Sequence, residues 1–271
     1  MLKNQSVETR FQFGKNWKKY HSVITEQRIN EAEKSLKTRL HVNNLHNKTF
    51  LDVGSGSGIF SLAARRLDAS VVSFDYDENS VHCTESIKKQ FFTDDSKWKV
   101  LKGSILDPQF ITSLGRFDIV YAWGVLHHTG NLQAAMTHAD IAVKPGGLLF
   151  LAIYNDQGST SRKWRAVKKI YCSSTPGKIL ITSFFYVYWI LSGLLYDVLH
   201  LHSPFLRYSR YYHDRGMSVF HDWNDWLGGY PFETARPEHV FDFYYKKNYK
   251  LIYLKTCGGE LGCNEFIFQK E

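Results

Sequence analysis

The chain has 271 residues, of which 44% are hydrophobic, and a formal net charge of +8. It can therefore bury a substantial core as one domain with a sizeable insertion. The four cysteines form no C-x-x-C pair and no metal-ligand spacing, which argues against a disulfide framework and indicates reduced thiols in a cytoplasmic protein. The N-terminal residues lack the apolar run of a secretory signal.

The positive charge is unevenly distributed. Residues 1–50 contain ten Lys/Arg against four Asp/Glu, and residues 151–221 contain nine against three. Two basic segments on an acidic remainder suggest an anionic partner such as a phosphate group, a nucleic acid or a lipid surface. The alternative is a solvated surface that only keeps the protein soluble.

Strands and helices are predicted to alternate from residue 49 onwards. In chain order the elements are strand Thr49–Val53, helix Ile59–Leu67, strand Val71–Asp75, helix Asn79–Lys89, strands Trp98–Leu101 and Phe117–Trp123, helix Leu132–Val143, strand Leu148–Tyr154, a helix from Pro237, and strands Tyr249–Lys255 and Asn264–Gln269. The last two are expected to pair as a hairpin. Apolar strands that alternate with helices indicate an α/β, doubly wound, mostly parallel sheet covered on both faces.

Four segments follow from this pattern. We expect an N-terminal helical arm or lid over residues 1–48 and a Rossmann-like core over residues 49–155. A helical cap, inserted after the fifth strand, would occupy residues 156–235. Residues 236–271 would complete the core with the last helix and the antiparallel strand pair.

The sharpest local signal is the stretch FLDVGSGSG, residues 50–58. Alternating glycines remove the side chains from the turn between the first strand and its helix, where doubly wound sheets bind ligands. Asp52 beside this turn suits a positively charged amine better than a pyrophosphate. Asp75 ends the second strand, where a carboxylate can accept both hydrogen bonds of a ribose diol. A NAD-type Rossmann domain is the alternative, but the glycine spacing departs from G-x-G-x-x-G.

Five motifs carry a resemblance to a known family: FLDVGSGSG (50–58), VVSFDYD (71–77), GSILD (103–107), FDIVYAWGVLHH (117–128) and KPGGLLFLAIYN (144–155). The chain resembles the class I S-adenosylmethionine-dependent methyltransferases, particularly the quinone-biosynthesis O-methyltransferase type. The resemblance implies a seven-stranded sheet and S-adenosyl-L-methionine as cofactor, with S-adenosyl-L-homocysteine as product. It implies no metal.

The resemblance also assigns cofactor-binding residues. Asp52 and the turn residues Gly54, Ser55 and Gly56 would hold the methionine moiety, and Asp75 the ribose. Either Tyr76 or Ile105 would pack on the adenine, and Trp123 would lie along the cofactor. The chain has Ser104 where many relatives have an aspartate that accepts from the adenine amino group, so that contact falls to Ser104 or Asp107.

The arm contains FQFGKNWKKY, residues 11–20, in which aromatic and basic residues alternate. In relatives of this fold an N-terminal aromatic segment often closes the cofactor site, which would make Trp17 part of a lid. Stacking on a nucleic acid and simple packing of the arm on the core are the alternatives.

The predicted cap contains seventeen uncharged residues, Ile179–Leu195, preceded by a basic cluster. The cluster consists of Arg162, Lys163, Arg165, Lys168 and Lys169. A spanning helix would place two halves of one sheet on opposite sides of a bilayer, so we expect an interfacial or substrate-covering helix. Residues 160–195 would then associate peripherally with an anionic membrane. The alternative is a helix buried in the cap or in a homodimer interface.

Methyl transfer to a hydroxyl needs a base, and histidine titrates in the suitable range. His127 and His128 follow the fourth strand, and the quinone-type relatives have a histidine at the position of His128. His221, with Asp222 and Asp225 nearby in sequence, is the second candidate.

The leading interpretation is a cytoplasmic, membrane-peripheral O-methyltransferase for a small-molecule or lipid- or glycan-linked acceptor. A tRNA or other nucleic-acid methyltransferase is the second interpretation, although no RNA-binding module and no N/D-P-P-[YF] signature is present. A membrane-peripheral protein that binds the cofactor without catalysis is the third.

Overall fold

The computed structural model describes residues 11, 14, 24–203 and 219–271. The chain divides into two compact units. The described part of the larger unit contains Gly14 and residues 24–158 and 233–271, and that of the smaller unit contains Phe11 and residues 159–203 and 219–232.

The larger unit is an α/β unit with one β-sheet and helices on both of its faces. Its elements are α1 (Glu26–Leu40), β1 (Thr49–Val53), α2 (Ile59–Arg66), β2 (Ser70–Asp75), α3 (Glu78–Phe91), β3 (Trp98–Lys102), α4 (Pro108–Leu114), β4 (Phe117–Trp123), a 3-10 turn (Leu126–His128), α5 (Leu132–Ile141), β5 (Val143–Tyr154), α9 (Pro237–Tyr245), β6 (Tyr249–Lys255) and β7 (Cys263–Lys270). The smaller unit contains three helices in its described part, α6 (Ser159–Ser173), α7 (Thr175–Leu199) and α8 (Val219–Gly228).

The strands form one sheet in the order β3-β2-β1-β4-β5-β7-β6. Strands β1 to β5 run parallel, and β7 pairs antiparallel with both β5 and β6. The predicted seven-stranded, mostly parallel sheet is therefore confirmed. From β1 the chain adds β2 and β3 on one side of the sheet and then β4 and β5 on the other. The carboxyl ends of β1 and β4 therefore meet at the crevice where doubly wound folds bind ligands.

Each face of the sheet has its own apolar core, because successive strand residues point to opposite sides. Leu51 and Val53 of β1 pack with α5 and α9, whereas Phe50 packs with α1 and α2. Strand β1 is buried on both sides, which is why its sequence is apolar almost without alternation.

Strand β5 differs from its prediction at its start. In the sequence, Pro145-Gly146-Gly147 is typical of a turn, which predicts that the strand begins after it, at Leu148. Val143 already pairs with Phe117, and regular pairing resumes at Leu148 opposite Ile119. The residues between form an irregularity within the strand, because four residues on β5 lie opposite one on β4. Helix α5 accordingly ends at Ile141 and not at Val143.

Asp118 joins three strands at the end of the sheet opposite the glycine turn. Its carboxylate accepts hydrogen bonds from the backbone N–H of Thr49 at 2.8 Å, the Thr49 hydroxyl at 2.6 Å and the Lys144 ammonium at 2.9 Å. Partial burial acts to raise the pKa of Asp118, but the hydrogen bonds from Thr49 and Lys144 outweigh it and lower the pKa to about 2.

We expect Asp118→Ala to lower the free energy of unfolding by about 1–2 kcal/mol at pH 7, since three donors lose their acceptor. A lowered pKa stabilises the fold above the unfolded value near 4, and this contribution is lost as the pH falls towards 2. The difference between wild type and variant, measured by urea unfolding, should therefore shrink between pH 4 and pH 2.5. Asp242→Ala, at an exposed helix position, is the control, and an unchanged difference would contradict the assignment.

Candidate active site

The glycine turn after β1 is fixed by backbone hydrogen bonds. The N–H groups of Gly54 and Ser55 both donate to the carbonyl of Phe74, at 2.8 and 3.1 Å. Gly54 and Gly56 have φ values of 70° and 56°, in the left-handed region that favours glycine. A Cβ atom on Gly54 would lie 2.5 Å from the Val125 side chain. The turn therefore requires glycine for both conformation and space.

Asp75 connects this turn to the next helix. Its carboxylate accepts from the N–H of Gly56 at 3.0 Å and from the N–H of Asp77 at 2.8 Å. Each carboxylate oxygen can accept further hydrogen bonds, so the group can still take the two hydroxyls of a diol. The sequence assigned Asp75 to the ribose, and its position beside the turn suits that role.

The N-terminal arm reaches the same region at Gly14. Its N–H donates to Asp77 Oδ2 at 2.9 Å, and a Cβ atom on Gly14 would lie 2.5 Å from Asp77 Oδ1. Trp17, the predicted lid residue, lies outside the described residues, and its role stays a prediction.

Asp52 is a buried acid at the end of β1, with 3% of its surface exposed. Ser61 donates its hydroxyl hydrogen to the Asp52 carboxylate and lies 2.7 Å from the Ser73 hydroxyl, which accepts from Trp98 Nε1. Burial raises the pKa of Asp52 to about 7, and the negative charge of Asp75 adds to the effect. A ligand ammonium group would stabilise the ionised form, so the site fits the methionine end of the expected cofactor.

The residues predicted to contact the adenine differ in exposure. Tyr76 is 49% exposed, whereas Ile105 is 4% exposed and packs in the core below the sheet edge. The Ser104 hydroxyl accepts from the N–H of Leu106, and the Asp107 carboxylate caps α4. Tyr76 is therefore more accessible than Ile105, and the adenine contacts stay predictions.

Trp123 ends β4 with 44% of its surface exposed, at the carboxyl edge of the sheet. This is the edge from which the glycine turn also departs. An exposed indole there is consistent with the prediction that Trp123 lies along the cofactor. This role of Trp123 stays a prediction.

Two buried histidines follow β4 in the 3-10 turn. The His127 ring lies 4.5 Å from the His128 ring and 4.0 Å from the Tyr154 ring, measured between centroids. The backbone N–H of Tyr154 points to His127 Nδ1 at 3.3 Å. Since an N–H donates, Nδ1 of His127 is the acceptor, and the ring hydrogen of neutral His127 lies on Nε2.

A carboxylate that the sequence did not reveal holds this turn. Glu233 accepts from the N–H groups of Gly130 and Leu132, both at 3.0 Å, and its own N–H donates to the His127 carbonyl at 2.9 Å. Glu233 lies twelve residues after His221 in the sequence. Only its contacts in the structure show that it holds the histidine turn.

Two buried amides line the end of β5. Asn264 Nδ2 donates to Asn155 Oδ1 at 3.1 Å, and the N–H of Cys257 donates to Asn264 Oδ1 at 3.1 Å. The N–H of Asn155 donates to the Gly262 carbonyl. The loop between β6 and β7 is thereby attached beside Tyr154.

His221 belongs to α8 of the smaller unit, and the structure does not describe its side chain. Its predicted role as a base therefore stays a prediction.

The sheet order and the glycine turn define the class I methyltransferase fold, the fold of the S-adenosylmethionine-dependent enzymes. Two solved structures share it: an O-methyltransferase family protein from Burkholderia thailandensis (TM-score 0.55, 10% identity, 96% of this chain and 63% of that one) and magnesium protoporphyrin IX methyltransferase from Synechocystis with bound S-adenosylhomocysteine (TM-score 0.52, 12% identity, 90% and 83%). At these identities the likeness concerns the fold alone.

A family model described as a methyltransferase domain matches residues 24–227. The chain belongs to this family. Curated relatives include ubiquinone biosynthesis O-methyltransferases from Pelagibacter ubique, 25% identical over 134 residues, and Rhizobium johnstonii, 31% identical over 111 residues. The matches cover 49% and 39% of this chain and 50% and 40% of the relatives. The chain therefore spans about half the length of these relatives or less, and the family resemblance inferred from the motifs is confirmed.

We expect Asp75→Ala to weaken S-adenosylhomocysteine binding by about 2–3 kcal/mol, since hydrogen bonds to a charged group are lost. Isothermal titration calorimetry measures the effect. Asp242→Ala, an exposed carboxylate on α9, should bind as the wild type does. Unchanged affinity in Asp75→Ala would remove the ribose assignment.

A second prediction concerns the buried charge of Asp52. With a raised pKa, its contribution to stability is fully present below the unfolded value near 4 and is lost as the pH rises through about 7. The stability of the wild type relative to Asp52→Asn should therefore fall by on the order of 3 kcal/mol between pH 4 and pH 7. Urea unfolding of both proteins measures this, and parallel pH profiles would contradict it.

Proposed function

We propose that the protein transfers a methyl group from S-adenosyl-L-methionine to a hydroxyl oxygen of a small-molecule or lipid- or glycan-linked acceptor. The observation that carries the proposal is the position of the two groups of residues. One group is the glycine turn with Asp75, and the other is the His127–His128–Tyr154 cluster. Both lie at the carboxyl ends of strands that share one edge of the sheet. The curated relatives are named as O-methyltransferases, which supports oxygen as the acceptor atom.

The cofactor, when bound, supplies an electrophilic methyl group. In this proposal Asp52 with Gly54, Ser55 and Gly56 holds its methionine end, and Asp75 holds its ribose. Tyr76 or Ile105 packs on the adenine, and Ser104 or Asp107 accepts from its amino group. Trp123 lies along the cofactor and Trp17 covers it. Transfer is an in-line displacement, so these residues act mainly by fixing position.

The acceptor hydroxyl must lose its proton, and we assign that step to His128. A base needs a lone pair, and in His127 the Nδ1 lone pair already accepts the N–H of Tyr154. His127 would instead orient the turn, together with Glu233. His221 remains the second candidate for the base.

The proposal includes two partners besides the acceptor. One is an anionic membrane, with which residues 160–195 would associate peripherally; the other is a second copy of the chain. Neither partner is needed for the chemistry of the site. If membrane binding or dimerisation were not observed, the assignment of the reaction would be unchanged.

The test measures methyl transfer from labelled S-adenosylmethionine to a cell extract separated into lipid, small-molecule and RNA fractions. We expect labelling in the lipid or small-molecule fraction. Label only in the RNA fraction would favour the alternative nucleic-acid methyltransferase, and S-adenosylhomocysteine binding without any label would favour a binding protein.

With the labelled acceptor in hand, His128→Ala should lose about 10²–10⁴-fold in turnover while S-adenosylhomocysteine affinity stays the same. The wild-type rate should rise from about pH 6 to pH 8 as imidazole loses its proton. The control is His239→Ala, at an exposed position of α9, and His221→Ala tests the second candidate. Full activity of both His128→Ala and His221→Ala would show that the acceptor ionises without a histidine.

A further inference from the structure

Helix α7 of the smaller unit has an apolar face without a partner in the described chain. Nine of its apolar side chains are each more than half exposed: Ile179, Leu180, Phe184, Val187, Tyr188, Leu191, Leu195, Val198 and Leu199. The helix has 25 residues and is about 37 Å long, and it is long and apolar enough to cross a membrane. Monomeric soluble proteins rarely expose apolar patches of more than a few hundred Å². Such a face indicates a binding surface.

The opposite face of α7 is packed within its own unit. The Phe185 ring lies 5.2 Å from the Trp164 ring of α6, and the Trp189 ring lies 4.9 Å from the Trp223 ring of α8, measured between centroids. The Tyr186 hydroxyl donates to the Phe220 carbonyl at 3.1 Å. These contacts cover this face of α7, so only the exposed face is available to a partner.

The width of the exposed face distinguishes a lipid surface from a second helix. At 3.6 residues per turn, all nine side chains except Ile179 fall within roughly 120°, and Leu194 and Ile190 widen the apolar arc to roughly 180°. A helix pairing with a copy of itself needs only a narrow stripe, flanked by polar residues. Here one flank is apolar apart from Ser183, and Ser192 borders the other flank. An apolar face of this width favours a continuous apolar medium.

Charge points to the kind of lipid. Helix α6 pairs antiparallel with α7 through the turn at Ser174 and carries four exposed basic residues, Arg162, Lys163, Arg165 and Lys169. In the described part of the smaller unit, no acidic side chain is fully exposed: Asp197 is buried, and Asp222 and Asp225 are half-buried. Exposed basic residues in the same small unit as an apolar helix face attract anionic lipid headgroups.

We propose that α7 lies in the plane of an anionic bilayer, with its exposed face among the acyl chains and the basic residues of α6 at the headgroups. The helix does not cross the membrane and does not form the seam of a dimer. This surface is independent of the proposed methyl transfer, since a soluble acceptor would leave it unchanged.

The test is flotation of the full chain with vesicles of phosphatidylcholine alone or with one third phosphatidylglycerol. We expect binding to the anionic vesicles that falls with added salt. Phe184→Asp with Leu191→Asp should reduce that binding at least tenfold, whereas Leu254→Asp with Leu261→Asp, at exposed apolar positions of the larger unit, should not. Arg162→Glu with Lys169→Glu should also reduce it, and Lys246→Glu with Lys250→Glu should not.

Circular dichroism and S-adenosylhomocysteine binding verify that each variant is folded. Resistance of the bound protein to alkaline carbonate extraction would show a spanning helix and overturn the proposal. A dimer in analytical ultracentrifugation that Phe184→Asp with Leu191→Asp dissociates, together with no vesicle binding, would assign the face to a second copy. Loss of methyl transfer with vesicle binding retained would count against the proposed function and not against this surface.

Discussion

The hydrogen bond from Gly56 to Asp75 is the contact on which the candidate site depends. It joins the turn after β1 to the end of β2, and the same carboxylate accepts from Asp77 at the start of α3. Asp75 thus links the end of β2, to which it belongs, with the glycine turn and with the start of α3. Without Asp75 the glycine turn would keep its bonds to Phe74 and the 2.9 Å contact between the Ser55 and Thr84 hydroxyls, but it would lose its link to the start of α3.

The electrostatics of this edge explain which ligand the turn can hold. Asp75 is near enough for its negative charge to raise the pKa of Asp52, and no basic group is among the interactions that shift the pKa of this buried acid. A pyrophosphate would add negative charge to this pair, whereas an ammonium group would relieve it. The same glycine-rich geometry can serve either ligand, so the acidic pair and not the turn distinguishes the two.

The sequence predicted the sheet well because its central strands are buried on both faces and read as apolar runs. Strands β1, β4 and β6 have their predicted bounds, since a turn or polar residue marks each end. It predicted β5 less well, because Pro145 and two glycines are typical of a turn, while here they form an irregularity inside a strand. Helix α1 lies in the helical arm expected over residues 1–48, although its bounds were not predicted, and helix α4 was missed. Glu233 was missed because its partners lie about 100 residues away.

Lys168 shows why a surface cannot be assigned from composition. The sequence placed it in a basic cluster, but its side chain is buried. Its ammonium group donates to the Trp226 carbonyl and lies 4.1 Å from the centre of the Trp226 ring. Burial lowers the pKa of Lys168 to about 7. Tyr171 and Cys172 on the same face of α6 also donate to α8, to the Asn224 side chain and the Gly228 carbonyl. This face of α6 binds α8, which leaves the other face to present the remaining basic residues to solvent or to a lipid headgroup.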